Sequence, residues 1–374
     1  MADLIFTGGG TGGHLYPALA VADAARQARP GVDILFVGTP DRIEAQVVPQ
    51  QGYRFEAIPA RGLSKKPLEA FRALSMLAGA VLKARALLQR EKPRAVLGTG
   101  GYVSAPVLLA ARLEGIPVVL QEQNVVPGKV NQWIARFAHT VATSFPESER
   151  YFGGRSLFMI GNPIRLEAFC QEPAAARAAL GYAPGDRLLL VTGGSQGARS
   201  INDALVALLP RLLAETDWRV LHVTGPANLP AVQAATASHA DSGRYRAVGY
   251  MERMPEAILA ADLVLGRAGA TTLAELAAVG KPMVLVPYPH AGGHQRLNAE
   301  SIVHAGGALD VSDAEAPTKL GEVLLPLLAD EARLVAMAAA SRRQGRPQAA
   351  SELAQVLLGL AFPAPAAAAA SAAK

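Results

Sequence analysis

Short apolar runs alternate with longer amphipathic segments along most of the chain. In the first third the apolar runs lie at Leu4–Thr7, Ile34–Val37, Phe55–Ile58, Ala95–Leu97 and Val118–Leu120. Helical patterns lie between them, at residues 17–28, 41–51, 67–90 and 103–114. This alternation is typical of a parallel sheet that carries helices on both faces, with right-handed crossovers. The pattern therefore predicts an α/β fold.

The pattern restarts after the loop Gly161-Asn162-Pro163. Further apolar runs follow at Leu188–Val191, Val220–Val223, Leu263–Leu265 and Met283–Val286. A strand, a glycine turn and a helix occur in that order both at 4–26 and at 188–213, and a second such repeat relates 95–120 to 262–285. We therefore predict two Rossmann-like domains, residues 1–161 and 162–340, whose parallel sheets face each other across a deep cleft. A helix at 341–362 is expected to pack back toward the first domain, and the Ala/Pro tail at 363–374 to be disordered.

Composition places the chain among globular proteins. Its 374 residues are 51% hydrophobic and 18% charged, and they include a single cysteine, Cys170. An internal disulfide is therefore excluded, and a reducing compartment is expected. No apolar run approaches the roughly 20 residues of a membrane-spanning helix, and the N-terminus does not resemble a signal peptide. His290 and His294 are too scattered to indicate a metal site, so we expect neither a metal nor a cofactor.

Positive charge is concentrated at residues 61–94. This segment carries nine Lys/Arg and two acidic residues, whereas the net charge of the whole chain is +5. The nine basic residues are Arg61, Lys65, Lys66, Arg72, Lys83, Arg85, Arg90, Lys92 and Arg94. They are compatible either with a solvated, core-facing helix or with contact to a polyanion or an anionic membrane.

The first glycine turn, Gly8-Gly9-Gly10-Thr11-Gly12-Gly13-His14, has more glycine than a tight turn needs. Glycines let the backbone adopt positive φ and let a ligand approach closely, and the helix that follows suits a phosphate group. A dinucleotide-binding domain also needs an acidic residue at the end of its second strand. That strand ends Phe36-Val37-Gly38-Thr39, with Asp41 slightly beyond, so a dehydrogenase is disfavoured.

Three further motifs each have a structural and a functional interpretation. Ser195, in the turn Gly193–Ala198, is either a turn residue or a ligand contact. Thr272 and Glu275 match a capping box, but a carboxylate there also suits the two hydroxyls of a ribose. Asn124 follows a polar run, Gln121-Glu122-Gln123, at the end of a buried strand, where either loop polarity or ligand contact explains it.

Taken together these motifs resemble glycosyltransferase family 28, and in particular the MurG family of bacterial N-acetylglucosaminyl transferases. The resemblance covers roughly residues 2 to 355. It rests on Gly8–His14, Gly100–Ser104, Glu122–Asn124, Gly161–Pro163 with Arg165, Gly193–Ala198, Arg267–Ala270 with Glu275, and His294-Gln295 with Asn298. It implies a GT-B fold and inverting transfer of GlcNAc from UDP-GlcNAc to the C4 hydroxyl of MurNAc in lipid I, which forms lipid II and UDP without a metal in the site.

The resemblance also implies partners and a location. The donor UDP-GlcNAc and the undecaprenyl-linked acceptor lipid I are the expected substrates, and no nucleic acid is expected. Anionic inner-membrane lipid is expected to contact residues 61–94, which makes the chain a peripheral protein on the cytoplasmic side of the inner membrane. Proteins of cell-wall synthesis and division are further expected partners.

Site roles follow from the resemblance residue by residue. The residues expected to bind substrate are Thr11, Gly12, Gly13, Asn124, Arg165, Ser195, Met251, Ala270, Thr271, Thr272, Leu273, Ala274, Glu275 and Gln295. Gln121 departs from the family, in which a histidine commonly stands there. This leaves His14 as the expected general base, with Glu122 assisting or orienting it, because an imidazole ordinarily exchanges protons near neutral pH.

Two other functions remain open from the sequence. A UDP-GlcNAc 2-epimerase on the same fold needs its own acid and base around the sugar and no lipid acceptor. A nucleotide-sensing module at the membrane needs no turnover. The basic and apolar segment at 61–94 favours a lipid-linked acceptor over the epimerase.

Overall fold

The computed structural model describes residues 1–60, 67–290 and 293–363, with residues 67–74 described by their backbone only. Contacts within the chain divide it into two compact units. Unit 1 comprises Met1–Ile164 together with the segment from Pro347 onward, and unit 2 comprises Arg165–Arg346. The tail predicted to be disordered begins at residue 363, and its residues 364–374 lie outside the described part of the chain.

Unit 1 is built around a seven-stranded parallel sheet with the strand order β3-β2-β1-β4-β5-β6-β7. Its elements are β1 (Leu4–Gly8), α1 (Gly12–Ala28), β2 (Ile34–Gly38), α2 (Ile43–Gln50), β3 (Arg54–Ala57), α3 (Pro67–Glu91), β4 (Ala95–Gly100), α4 (Ser104–Leu113), β5 (Val118–Glu122), α5 (Lys129–Ile134), β6 (Thr140–Thr143) and β7 (Phe158–Met159). A 3-10 turn covers Pro146–Tyr151.

The central strands of unit 1 are buried on both faces, as their continuous apolar runs predict. Phe6 on β1 stands in register between Phe36 on β2 and Leu97 on β4. The last helix, α14 (Ala349–Ala361), packs on α1 and places Leu353 and Leu357 in the same core cluster. The C-terminal segment therefore completes the hydrophobic core of unit 1.

Unit 2 contains a six-stranded parallel sheet with the order β10-β9-β8-β11-β12-β13. Its elements are α6 (Pro173–Ala179), β8 (Leu188–Thr192), α7 (Arg199–Glu215), β9 (Arg219–Val223), α8 (Leu229–Ala235), β10 (Tyr245–Val248), α9 (Met254–Ala260), β11 (Leu263–Gly266), α10 (Ala270–Ala278), β12 (Met283–Leu285), α11 (His294–His304), β13 (Ala308–Asp310), α12 (Ala316–Ala329) and α13 (Glu331–Gln344). Further 3-10 turns cover Leu166–Phe169 and Ala237–Ser242.

The predicted fold class is confirmed by these two parallel sheets with their interleaved helices. Four strands escaped prediction, namely β6, β7, β10 and β13. They are two to four residues long. β7, β10 and β13 each have at least one exposed residue, and β6 has only two apolar residues between two threonines, so none of the four is a buried apolar run. The helix expected at 341–362 is instead two helices, α13 and α14, separated by Gly345-Arg346-Pro347, because Pro347 cannot continue a helix.

Candidate active site

The first glycine turn carries β1 directly into α1. A Cβ on Gly8 would lie 1.9 Å from the hydroxyl oxygen of Thr99, so only glycine fits there. Gly10 adopts a φ of +81°, in the left-handed region that favours glycine. The helix begins at Gly12, five residues before the predicted start at residue 17. His14 therefore lies in the first helical turn, with Gly12 and Gly13, and Thr11 is the N-cap.

The half-buried ring of His14 is held by the ends of β4 and β5. Its Nδ1 lies 3.0 Å from the carbonyl oxygen of Thr99 and 3.1 Å from Oε1 of Gln123. The Thr99 hydroxyl also donates to the carbonyl oxygen of His14, at 2.8 Å. A Cβ on Gly100, whose φ is +104°, would lie 3.1 Å from Cε1 of the ring. Residue 100 therefore has to be small to leave room for the imidazole.

Glu44, on α2, forms hydrogen bonds that hold the glycine turn. The sequence did not indicate this residue. Its carboxylate is 1% exposed and accepts the N–H of Gly10 at 3.0 Å. It also accepts from the backbone N–H and the hydroxyl of Thr39, at 3.1 and 2.8 Å. Glu44 lies three residues beyond Asp41, past the end of β2 where an acidic residue is expected in a dinucleotide-binding domain. Since the carboxylate already occupies the Gly10 N–H and adds negative charge, this turn is poorly suited to a diphosphate.

Glu122 organises the loop that follows β5. It is 1% exposed and accepts the N–H of Asn124 at 2.9 Å, the N–H of Gly128 at 3.2 Å and the amide of Asn131 at 2.7 Å. All of these donors belong to its own loop and to α5. None of these contacts is to His14, so they give Glu122 a structural role in its loop, and its expected part in the reaction stays a prediction.

Unit 2 contains the second glycine turn, between β8 and α7. Gly197 adopts a φ of +73°, and a Cβ there would lie 1.9 Å from the carbonyl oxygen of Thr224. Beside this turn lies a cavity of about 460 Å³. It is lined by Thr192, Gly193, Gly194, Gly197, Ala198, Arg199, Ser200, Arg267, Gly269, Thr272, Tyr288, Gln295 and Asp313.

An ion pair forms one wall of this cavity. The Arg267 guanidinium donates to the carboxylate of Asp313, to the carbonyl oxygen of Val286 at 2.9 Å and to the Ser200 hydroxyl at 3.0 Å. Ser200 in turn donates to Asp313. Burial opposes ionisation of Asp313, but the hydrogen bonds from Ser200 and Arg267 outweigh it and hold the pKa below its ordinary value. Arg267 belongs to a motif singled out in the sequence, whereas no sequence signal marks Ser200 or Asp313.

The start of α10 tests the capping-box interpretation of Thr272 and Glu275. The N-cap is Gly269, and no side chain caps the helix, so the capping box is excluded. Thr272 instead lines the cavity. Burial raises the pKa of Glu275 to about 7, and no hydrogen bond to its carboxylate is found among the described residues. A carboxylate in that condition is available to accept hydrogen bonds from a ligand.

The cavity brings together some of the expected donor-binding residues and leaves out others. Thr272 and Gln295 line it, and the side-chain oxygen of Gln295 accepts the N–H of Tyr288 at 3.0 Å. Ser195 is exposed on the adjacent turn and does not line it. Also outside the lining are Arg165, just before a 3-10 turn, Met251, after β10, and the helix residues Ala270, Thr271, Leu273, Ala274 and Glu275. Thr11, Gly12, Gly13 and Asn124 belong to unit 1.

The basic segment is described only in part. Arg61, Lys65 and Lys66 lie outside the described residues, and so does the side chain of Arg72. On α3, Met76 and Leu82 are exposed, Leu82 by 67%, and Lys83 is exposed next to it. Arg85 pairs with Glu114, and Arg90 pairs with Glu56.

No helix in the described part of the chain is long and apolar enough to span a membrane. Across the same residues there is no group of three or more His, Cys, Asp or Glu that could hold a metal ion.

Two family models match the chain, one in each unit. The glycosyltransferase family 28 N-terminal domain matches residues 4–143, and the glycosyltransferase family 28 C-terminal domain matches residues 188–353. Two curated relatives carry the name UDP-N-acetylglucosamine--N-acetylmuramyl-(pentapeptide) pyrophosphoryl-undecaprenol N-acetylglucosamine transferase. The one from Moorella thermoacetica is 42% identical and covers 95% of this chain and 98% of its own. The one from Chlorobaculum parvum is 43% identical, over 96% of this chain and 99% of its own length.

Solved structures are similar to this chain in fold. The crystal structure of Acinetobacter baumannii MurG matches with a TM-score of 0.78 and 29% identity, over 96% of this chain and 99% of that one. A putative UDP-N-acetylglucosamine 2-epimerase from Listeria monocytogenes matches with a TM-score of 0.71, but at 14% identity, with 98% of each chain covered. The likeness to the epimerase therefore concerns the fold alone.

Proposed function

Because this chain belongs to glycosyltransferase family 28, we propose that it transfers N-acetylglucosamine from UDP-GlcNAc to the C4 hydroxyl of MurNAc in lipid I, forming lipid II and UDP. The observation that carries the proposal is identity of 42–43% to transferases of that name over 95–96% of the chain. The protein is accordingly a hexosyltransferase of peptidoglycan synthesis. The 2-epimerase alternative has only a fold-level likeness in its support.

Unit 2 is proposed to bind the donor. Its cavity is lined by the second glycine turn, next to the start of α7, and by Thr272 and Gln295. A hydroxyl, an amide and a helix N-terminus are groups that suit a diphosphate and a sugar. Glu275 is proposed to accept hydrogen bonds from the two ribose hydroxyls, since a carboxylate can accept both. Arg165, Ser195, Met251 and the remaining α10 residues named above complete the proposed donor set.

Unit 1 is proposed to supply the base. As the acceptor C4 oxygen forms its bond to the anomeric carbon, the bond from that carbon to the UDP oxygen breaks, and the hydroxyl proton passes to His14. The transition state has oxocarbenium character, and positive groups and N–H donors stabilise the departing diphosphate. The support for His14 is its fixed ring in the first turn of α1 and the position of Glu44, which argues against a diphosphate at the same turn.

Peripheral attachment to the cytoplasmic face of the inner membrane is also proposed, with α3 as the contact. Exposed Met76 and Leu82 beside Lys83 would meet the acyl boundary and the anionic headgroups. Leu82→Asp is expected to reduce sedimentation with vesicles that contain anionic lipid. Leu113→Asp, at another exposed leucine of unit 1, is the matched control and should bind normally. Equal binding by both variants would exclude α3 as the contact.

The function is tested by incubating the protein with labelled UDP-GlcNAc and a lipid I analogue. Labelled lipid II and an equal amount of UDP are expected. Epimerised sugar in the absence of an acceptor would support the epimerase instead. Tight binding of UDP-GlcNAc without turnover in either reaction would support a nucleotide sensor.

A further inference from the structure

Three buried amides form a chain of hydrogen bonds that ends on the ring of His14. The Gln121 amide donates to Oδ1 of Asn162 at 3.3 Å, and the Gln123 amide donates to Oε1 of Gln121. Oε1 of Gln123 then faces Nδ1 of His14 at 3.1 Å. Gln121, Gln123 and Asn162 are 0%, 2% and 4% exposed, so water does not compete for these contacts.

The carbonyl oxygen of Thr99 determines the direction of every bond in this chain. A backbone carbonyl only accepts, and its two lone pairs receive Nδ1 of His14 at 3.0 Å and the Gln123 amide nitrogen at 2.6 Å. The Gln123 nitrogen must therefore face Thr99, which turns its oxygen toward the imidazole. Nδ1 of the neutral imidazole consequently faces two acceptors and has to carry the hydrogen.

We infer that Gln123, with Gln121 behind it, is a positioning residue that fixes His14 in the Nδ1–H tautomer and leaves the lone pair on Nε2. A general base needs that free lone pair, so the inference rests on the proposed role of His14 in the transfer reaction. The Nδ1–H of a catalytic histidine commonly donates to a carboxylate or to a backbone carbonyl oxygen. Here a neutral amide next to a backbone carbonyl fills that place and adds no charge beside the ring.

The tautomer is measured directly by NMR of protein labelled with ¹⁵N-histidine. The His14 signals are assigned by their loss in His14→Gln, and the expected pattern has the hydrogen on Nδ1 and a bare Nε2. His139 is an internal reference of the opposite tautomer, because its Nδ1 accepts the N–H of Val118 at 3.0 Å. A hydrogen on Nε2 of His14 in the wild-type protein would overturn the inference.

The positioning role of this chain of hydrogen bonds is tested with Gln123→Met, which keeps the length of the side chain and removes both of its hydrogen-bonding groups. The expected result is a fall in kcat of about tenfold with the KM for UDP-GlcNAc unchanged, together with a detectable Nε2–H population. Gln121 contacts Gln123 and not the ring itself, so Gln121→Met should show a smaller fall in kcat and a smaller Nε2–H population. Gln132→Met is the control, because Gln132 also donates to a backbone carbonyl, that of Pro127, but does not contact His14.

If Gln123→Met behaves like Gln132→Met in both kcat and tautomer, Gln123 does not position the ring. These outcomes are separate from those of the function test. A protein that transfers no GlcNAc but shows a bare Nε2 in the wild type and a mixed tautomer in Gln123→Met supports the inference and contradicts only the proposed reaction.

Discussion

The carboxylate of Glu44 accepts the N–H of Gly10 at 3.0 Å, beneath the turn that leads into the helix of His14. A turn of this kind ordinarily presents its N–H groups to a phosphate. Here a buried carboxylate has taken that donor and placed a negative charge below the turn. On the proposed function, this glycine-rich turn fixes the side chain of His14, and the nucleotide binds in unit 2.

Glu44→Gln is expected to lower stability and turnover and to leave UDP affinity unchanged. The amide nitrogen must face either the Gly10 N–H or the Thr39 donors, so one buried donor loses its partner, at a cost of about 1–3 kcal/mol. Urea unfolding, steady-state kinetics and UDP titration measure the three effects. The control is Glu56→Gln, because the side chain of Glu56 is 40% exposed and its ion pair should contribute under about 1 kcal/mol. Tighter UDP binding by Glu44→Gln would indicate a diphosphate at the first turn.

Gly100→Ala is expected to abolish most activity while leaving a folded protein. The added Cβ would lie 3.1 Å from the His14 ring, which has to move by a few tenths of an ångström. Gly115→Ala isolates the backbone effect, because Gly115 also has a positive φ, of +70°, but nothing lies within 4 Å of its Cβ. Gly115→Ala should lose about 1 kcal/mol of stability from the positive φ. Gly100→Ala should lose more, because its φ of +104° lies outside the left-handed region, and only Gly100→Ala should lose turnover. Equal activity in the two variants would show that space at residue 100 does not govern the ring.

Glu275→Gln is expected to stabilise the protein at high pH and to weaken binding of UDP. Burial raises the pKa of Glu275 from 4.5 to about 7, so the folded state holds this proton more tightly than the unfolded chain does. Stability is therefore lost as the pH rises from 4.5 to 7, and the loss reaches about 3 kcal/mol above pH 7. The glutamine variant should exceed the wild type by under about 1 kcal/mol at pH 5 and by about 3 kcal/mol at pH 8, as measured by urea unfolding.

The same substitution should reduce UDP affinity by about 10- to 100-fold at pH 8, because a hydroxyl pair loses a charged acceptor. In the wild type, affinity should rise as the pH increases through 7, since the carboxylate form accepts both hydroxyls. Deoxyuridine diphosphate lacks one of the two hydroxyls. The difference in affinity between the wild type and Glu275→Gln should therefore be smaller for this ligand than for UDP. Unchanged UDP affinity in the variant would remove Glu275 from the donor site.

Much of this fold follows from the sequence because buried parallel strands are continuous apolar runs. The runs at Leu4–Thr7 and Leu188–Val191 lie within one residue of the observed strands. The short strands Phe158–Met159 and Ala308–Asp310 could not be predicted, because neither is a buried apolar run. The start of α1 was misplaced because Pro17 is an ordinary first helical residue, whereas here the helix begins five residues earlier.

The site was less predictable than the fold, for a related reason. His14 and Thr272 belong to motifs that follow strand ends, so the sequence alone indicates them, whereas Gln295 was expected only from the family resemblance. Glu44 reaches the first turn from a different element, 34 residues away. Asp313 accepts a hydrogen bond from Arg267, from which it is separated by 46 positions in the sequence. Such pairs are created by packing, and local spacing carries no sign of them.

In the proposed reaction the protein transfers GlcNAc with His14 as the base. The most direct measurement compares lipid II formation by the wild type and by His14→Ala, with UDP affinity determined for both. We expect the wild type to form lipid II, and His14→Ala to be slower by about 10²–10⁴-fold with UDP affinity within about twofold. Near-normal turnover by His14→Ala, with donor binding intact, would contradict this assignment of the base.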